Sequence, residues 1–263
     1  MDTFKYVLTL ADIKERHPTS SWVRITTITM ISKLGQDIDL DAFRAKFEPV
    51  RLRAKGSTAK GFEWTMKKTT FYNQVTIGYR DQYSQKSIKL FPNGSIQVAG
   101  CSDLFDCSRI LRQVAYLVSK TLGVGVDVAT LLANMSVKMI NTNFSLNSSV
   151  NLNKVIQRFS SQDAFRVSFD PDRYSAVKIK FSPGEGMKQV TASIFSTGKI
   201  IVTGAQTLKE IAMAYHVLNK NLDASVRLAP SEKRDEFGTI MGYTFTDLVP
   251  ALRAKGFFSW QTV

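Results

Sequence analysis

The chain has 263 residues, 44% of them hydrophobic, enough for one large core or two smaller fused ones. It carries 35 Lys and Arg against 22 Asp and Glu, a formal charge of +13 that suits a polyanion such as nucleic acid or an acidic membrane. No apolar run approaches the ~20 residues of a membrane-spanning helix, the N-terminus lacks a signal-peptide pattern, and Cys101 and Cys107 match no common zinc or redox spacing, so they read as structural thiols.

Residues 1–21 carry no readable signal. ITTITMISKLGQDIDLDAFRAKF (25–47) reads as a strand and a short helix capped by Asp39. Arg51, Arg53, Lys55 and Lys60 then crowd a charged stretch over 47–64, which is either an added phosphate-binding loop or a solvated one. Its GSTAKG segment (56–61) has Walker-like glycines, but Phe62 and Glu63 follow where a lysine and a hydroxyl residue are required. YNQVTIGY (72–79) reads as a strand. KLFPNGSIQVAGCS (89–102) alternates around a two-residue turn at Asn93-Gly94. A helix over 103–121 follows, with Leu104, Cys107, Leu111, Ala115, Val118 and Leu122 on its buried face.

The pattern then recurs. VKMINTNFSLNSSVNLNKVIQRF (137–159) is a strand and a short helix opened near Asn151, and YSAVKIKF (174–181) is a strand. SIFSTGKIIVTGAQ (193–206) is a hairpin turning at Thr197-Gly198. A helix over 207–220 begins in a Thr207–Glu210 capping box and buries Leu208, Ile211, Ala212, Tyr215 and Leu222. Phe91 and Phe195, Gly94 and Gly198, Val98 and Val202, and Gly100 and Gly204 are all 104 residues apart. Each half is therefore strand, short helix, four strands, long helix: an α+β fold of antiparallel strands with helices on one sheet face. The repeats span 22–122 and 137–222, with extensions at 1–21 and 223–263. In the last, DLVPALRAKGFFSW (247–260) offers Phe257, Phe258 and Trp260 for packing on their own chain, the expected outcome, or for docking a partner.

Strand period places Val177, Ile179, Ile194, Ile200 and Val202 against the helices. It places Tyr174, Ala176, Lys178, Lys180, Phe195, Ile201 and Thr203 on the opposite face. Large aromatics among lysines and threonines on an uncovered face point to a ligand surface. No catalytic constellation stands out: His17 and His216 are far apart, and Asp37, Asp39 and Asp41 suit the positive end of a helix better than a metal.

FDPDRYSAVKIKF (169–181) followed by IFSTGKIIVTGA (194–205) resembles the C-terminal repeat of the TATA-box-binding proteins. The resemblance covers roughly 22–222 as two direct repeats, the first mainly through LGQDIDL (34–40) and the 104-residue spacing. Size and divergence are similar to the version found in large cytoplasmic DNA viruses, which would place the chain in the host-cell cytoplasm, and otherwise in the nucleus. The resemblance implies a saddle whose concave sheet sits on the minor groove of AT-rich promoter DNA, a double-stranded target that aromatic pairs wedge open and bend as TATA-binding proteins do. It implies convex helices that recruit a general factor resembling the B-type initiation factor and RNA polymerase. It implies no cofactor, no metal, no membrane and no enzymatic activity.

Carried over by position, the wedge pairs are Tyr174 with Phe195 and Tyr72 with Phe91. Asn141 falls on a minor-groove asparagine of the first strand, and Thr27 stands at that place in the first repeat. Ile201 and Thr203 fall on groove-contacting positions, which Gln97 and Ala99 occupy in the first repeat. Arg173 and Lys180 suit phosphate, while Lys178 and Gln74 make the saddle more polar. Counting Thr27 to Tyr72 against Asn141 to Tyr174, the first repeat holds about twelve additional residues. Two rival readings are a protein-docking platform that has lost groove insertion and an enzyme, since saddle-like domains occur in DNA glycosylases and ribonucleases. The lack of a separate catalytic domain counts against the second.

Overall fold

An N-terminal helix α1 (Asp2–Arg16) precedes the first repeat, which runs β1 (Arg24–Lys33), α2 (Leu40–Lys46), β2 (Val50–Arg51), β3 (Glu63–Lys67), β4 (Val75–Arg80), β5 (Gln85–Leu90), β6 (Ser95–Cys101) and α3 (Leu104–Leu122). A short α4 (Val128–Ala133) leads to the second: β7 (Ser136–Ser145), β8 (Ser148–Val150), α5 (Leu152–Ser160), β9 (Arg166–Asp170), β10 (Tyr174–Phe181), β11 (Val190–Ile194), β12 (Lys199–Ala205) and α6 (Leu208–Asn221). The tail holds β13 (Arg227–Pro230), β14 (Thr239–Ile240), β15 (Tyr243–Thr244) and α7 (Phe245–Ala254). This computed structural model describes residues 2–51, 63–68, 71–81, 85–236, 238–240 and 242–260, with Arg51 described by its backbone alone. The chain forms two compact units, Thr27–Lys138, and Met1–Thr26 with Met139–Val263.

In the unit Thr27–Lys138 the antiparallel order is β2-β3-β4-β5-β6-β1. Val75, Ile77, Ile88, Leu90, Ile96 and Val98 are buried, as are Ile110, Leu111, Val114 and Val118 of α3. Asp103 caps α3 by accepting the Asp106 amide, and Gly123 ends it in the left-handed conformation. The other unit orders its strands β7-β12-β11-β10-β9. The five expected inward residues, Val177, Ile179, Ile194, Ile200 and Val202, are at most 2% exposed. Each contributes about 1.5–3 kcal/mol by burial, so a one-residue slip of β10 or β12 is strongly disfavoured. Asp39, Asn151 and the Thr207–Glu210 capping box open their helices as expected.

Four local expectations are corrected. The hairpin turns are three-residue loops, not two-residue ones. The Gly94 amide donates to the Phe91 carbonyl and the Phe91 amide to Ser95, and Phe195, Gly198 and Lys199 repeat this. Of the two residues expected to share the turn, only glycine has positive φ, 70° at Gly94 and 78° at Gly198. In the first hairpin Pro92 favours this loop, since its fixed φ suits the second position of a type I turn with glycine closing it; Ser196 takes that position in the second. Leu104 is 51% exposed instead of buried, because the first side chain of a helix tilts back off its N-terminal end. Ala176 is 1% exposed instead of facing outward; the β9–β10 register shifts between Tyr174 and Lys178, so Ala176 and Val177 are both buried. The first repeat has five strands after its short helix, because β2 and β3 flank the charged stretch.

Each hairpin tip lies against the segment leaving the first strand of its own repeat. Gly94 accepts from the Leu34 amide and Gly198 from the Leu146 amide. A Cβ at Gly94 would stand 2.0 Å from the Gln36 carbonyl oxygen, and one at Gly198 would stand 1.9 Å from that of Ser148.

The N-terminal segment and the tail build onto α6. Tyr215 of α6 donates to the Ser21 carbonyl at 2.8 Å, and Ser20 bonds Asn219 at 2.5 Å. Phe4 of α1 meets Phe257 edge-on at 5.0 Å, and the Trp260 amide donates to Thr9. Arg253 of α7 pairs with Asp12 at 2.8 Å and Glu15 at 2.9 Å. Phe257 therefore packs on its own chain, while Phe258 stays 69% exposed with the Lys5 ammonium over its ring.

Candidate nucleic-acid interface

The strand registers lay out the outward face of the second repeat in rows. Asn143, Ile201, Ser193, Lys178 and Ser168 lie across β7, β12, β11, β10 and β9 in one row. Thr203, Thr191, Lys180 and Arg166 form the next. All are half-buried or exposed. At one end the Tyr174 and Phe195 rings meet edge-on at 5.6 Å, and the Lys178 ammonium sits 4.8 Å over the Tyr174 ring. Arg173, almost fully exposed, has Asp170 at 3.6 Å. Short hydroxyls and amides thus occupy the centre, two rings one end, and Arg166, Arg173, Lys180 and Lys199 surround them. Such a surface offers flat apolar contact, short hydrogen-bonding groups and phosphate-pairing cations together.

The first repeat builds the same rows from different residues: Ile31, Gln97, Lys89, Thr76 and Lys67 in one, and Thr29, Ala99, Ser87, Gly78 and Thr65 in the next. Here the face is filled. Gln74 is only 8% exposed and donates to the Thr76 hydroxyl, so it does not add polarity to the surface. Thr65 and Lys67 of β3 close over Gly78. Tyr72 stands 87% exposed, and among the described residues no ring pair joins it to half-buried Phe91. Arg44 instead holds the Tyr72 and Gln74 carbonyls, at 2.7 and 3.1 Å.

The registers also correct the alignment of the repeats. Gln97 lies opposite Ile31, and Ile201 opposite Asn143, so the first strands are offset by 112 residues. The counterpart of Asn141 is Thr29, and that of Thr27 is Met139. A two-residue shift keeps every side chain on its own face, which is why alternation alone does not detect it. Val75 opposite Leu90 and Val177 opposite Ile194 give an offset of 102 at β4 and β10. The first repeat is therefore ten residues longer, not about twelve (112 less 102). Arg53, Lys55, Lys60 and the GSTAKG segment lie outside the described residues. The rows add Asn143, Thr191, Ser193, Ser168 and Arg166 to the residues chosen from sequence. Period two along β7, β9 and β11 was the available signal, and Asn143 exposes the point most clearly: its side-chain oxygen is sealed from solvent with no hydrogen bond among the described residues.

Residues 134–224 match the family described as "Transcription factor TFIID (or TATA-binding protein, TBP)". A TATA-box-binding protein-like protein of Acanthamoeba polyphaga mimivirus is 28% identical over 239 residues, a match spanning 76% of this chain and 65% of that protein. The chain is thus similar to the TATA-binding proteins, most directly over its second repeat. TATA-box-binding protein 2 of Methanosarcina mazei is 20% identical over 205 residues, covering 78% of this chain and 97% of its own. The structure of the Methanococcus jannaschii TBP superposes with a TM-score of 0.55 at 13% identity, over 76% of this chain and 97% of that one. The fold is accordingly the α+β one of TATA-binding proteins. Among the described residues no helix is long and apolar enough to cross a membrane, and no cluster of His, Cys, Asp and Glu could hold a metal ion.

Proposed function

We propose that the protein is a transcription initiation factor that binds and bends the minor groove of AT-rich double-stranded promoter DNA, with the second repeat supplying the insertion. The observation that carries this reading is the Tyr174–Phe195 ring pair beside rows of short polar groups and cations. Insertion of a ring costs a few kcal/mol of unstacking, offset by the wider contact that bent DNA allows. TA steps unstack most cheaply, so AT-rich preference follows without base-specific contacts. The partners in this reading are a factor resembling the B-type initiation factor and RNA polymerase, in the host-cell cytoplasm if the likeness to the viral protein extends to habitat.

Five cations, Arg166, Arg173, Lys178, Lys180 and Lys199, mark the second face; if each neutralises one phosphate, log K falls with log salt at a slope of about −4 to −5. Titration of AT-rich and GC-rich duplexes at several salt concentrations tests this. A steep slope with AT-rich preference is the expected result, and salt-insensitive binding opposes it. A second reading, a docking platform without groove insertion, draws support from the filled first-repeat face. It predicts unbent DNA in the same titration.

A further inference from the structure

The turn that ends the first strand of each repeat takes one residue into the left-handed region, Gly35 at φ 81° and Asn147 at φ 52°. They stand 112 residues apart (147 less 35), the offset of the two first strands. Glycine adopts this conformation at no steric cost, and asparagine is among the side chains that tolerate it best. What asparagine adds is an amide, and here both ends of it are used. Asn147 Nδ2 donates to the Thr19 and Asp235 carbonyls, each at 2.9 Å, and Oδ1 accepts the Asp235 amide, also at 2.9 Å. The Asn147 backbone carbonyl accepts the Ser231 amide at 2.9 Å. One residue, 4% exposed, thereby ties the N-terminal segment and the tail to a single turn.

That turn is the seat of the Phe195 loop. The Leu146 amide donates to the Gly198 carbonyl at 3.0 Å and the Val150 amide to the Ser196 carbonyl at 2.8 Å. The same segment pairs with β13, Val150 opposite Arg227 and Ser148 opposite Pro230, and the Ser149 hydroxyl bonds the Ala229 backbone. Asp235 also lies 3.7 Å from Lys199, the residue that closes the loop. In the first repeat the seat is built alike, with the Leu34 amide on Gly94 and the Ile38 amide on Pro92. There Gly35 offers no side chain, and exposed Gln36 beside it reaches the Gly125 carbonyl at 2.7 Å. The repeat with the clamped seat is the one whose rings meet, Tyr174 and Phe195 at 5.6 Å.

We infer that Asn147 is a positioning residue for the Phe195 wedge: it clamps Thr19 and residues 231–235 against its turn and so holds the seat of the loop that presents the ring. Both terminal extensions then belong to the bending device. This deepens, and rests on, the reading of the second repeat as the inserting one. Insertion favours a ring already held in place, because a mobile one must be ordered at the expense of binding. Asn147 is buried and acts through Phe195, with no DNA contact of its own.

Asn147→Gly in the full chain tests this, since glycine keeps the left-handed turn and removes only the amide. Without DNA, hydrogen exchange of the Leu146 and Val150 amides should quicken by about tenfold, with the Leu34 and Ile38 amides unchanged. With an AT-rich duplex, well below both melting temperatures, the bend should shrink and affinity fall by about 3- to 10-fold. Affinity for a GC-rich duplex should change by less than about twofold, since phosphate contacts dominate there. In a Phe195→Ala background the same substitution should cost less than about twofold on the AT-rich duplex, because the residue through which it acts is gone. Unchanged exchange at Leu146 and Val150 overturns the clamp. Faster exchange with an unchanged bend and affinity overturns the positioning role. Equal losses with and without Phe195 overturn it too, marking Asn147 as structural only. If the parent chain bends no duplex, the DNA reading fails and the positioning role with it, while the exchange result still decides the clamp.

Discussion

At the start of the long helix the first repeat has Asp106 and the second has Glu210, and the two carboxylates are satisfied by different means. Asp106 faces Lys86, which is 1% exposed, and Arg109, which also reaches Asp81 at 2.6 Å. Glu210 accepts the backbone amides of Lys188, Gln206 and Thr207 at 3.0, 2.6 and 3.1 Å. Where the first repeat pairs Tyr79 with Lys86 across β4 and β5, the second pairs Phe181 with Val190 across β10 and β11. The first repeat thus holds this corner with a buried ion network and fills its outward face with β3. The second holds it with backbone hydrogen bonds and an apolar core, leaving its outward rows and ring pair clear. One scaffold separates the two tasks, and the repeat with the simpler core carries the more open candidate site.

The largest effect should come from Lys86→Met. Removing the buried cation takes from Asp81 and Asp106 the lysine they share, and breaking such a buried pair costs about 3–5 kcal/mol. Denaturant unfolding would measure it; a loss below 1 kcal/mol would mean that the network is not what stabilises this corner. Gly94→Ala and Gly198→Ala probe what the repeats share. Both need a left-handed residue and set a Cβ on a carbonyl oxygen, so each should lose about 1–3 kcal/mol or more, and by similar amounts. A loss confined to one hairpin would break the equivalence of the two tips.

Glu210→Gln should be milder, about 1–2 kcal/mol, since the amide keeps one acceptor oxygen while its NH2 replaces the other and leaves at least one backbone N–H without its acceptor. Its pH signature is more specific. Burial pushes the Glu210 carboxyl up, but the three amides and the Thr207 hydroxyl outweigh this and hold it below the ordinary value. Its contribution is therefore present above an unfolded pKa of about 4.3 and is lost as pH falls through the lower folded value. Glu210→Gln should flatten the acid limb of the stability curve; an unchanged limb would contradict this. The smallest effect belongs to His17, lowered by burial and by Arg227, Arg16 and His216. The fold favours its neutral form, so stability should slip as pH falls below about 6.5, and His17→Gln should remove that slope in thermal melts.

The hairpins, helix caps and inward rows of β10 and β12 were legible because alternation and turn chemistry act over a few residues. Leu104 and Ala176 misled because helix-end tilt and a register shift change which face a residue takes without changing the local pattern. The pairing of Thr27 with Asn141 failed because period two cannot detect a slip of two. Lys86 alternates with Ile88 and Leu90, so its burial was readable, yet a lysine on an inward row finds its meaning only beside Asp81 and Asp106. The seating of α1 on α6 depends on contacts between residues about 200 apart, such as Ser20 with Asn219, for which no local signal exists. At the candidate site, Tyr174 and Phe195 come together as their positions implied, while Tyr72 and Phe91 do not.

That difference between the ring pairs is the central claim, and fluorescence-transfer bending of an AT-rich duplex by Phe195→Ala and Phe91→Ala tests it most directly. Loss of a ring stacked on a base costs about 1–3 kcal/mol. Phe195→Ala should therefore remove most of the bend and weaken binding by roughly 5- to 150-fold, whereas Phe91→Ala should retain most of the bend, with both variants melting like the parent. Equal losses would contradict the account by making the repeats equal partners, and a full bend in Phe195→Ala would contradict insertion by the second repeat altogether.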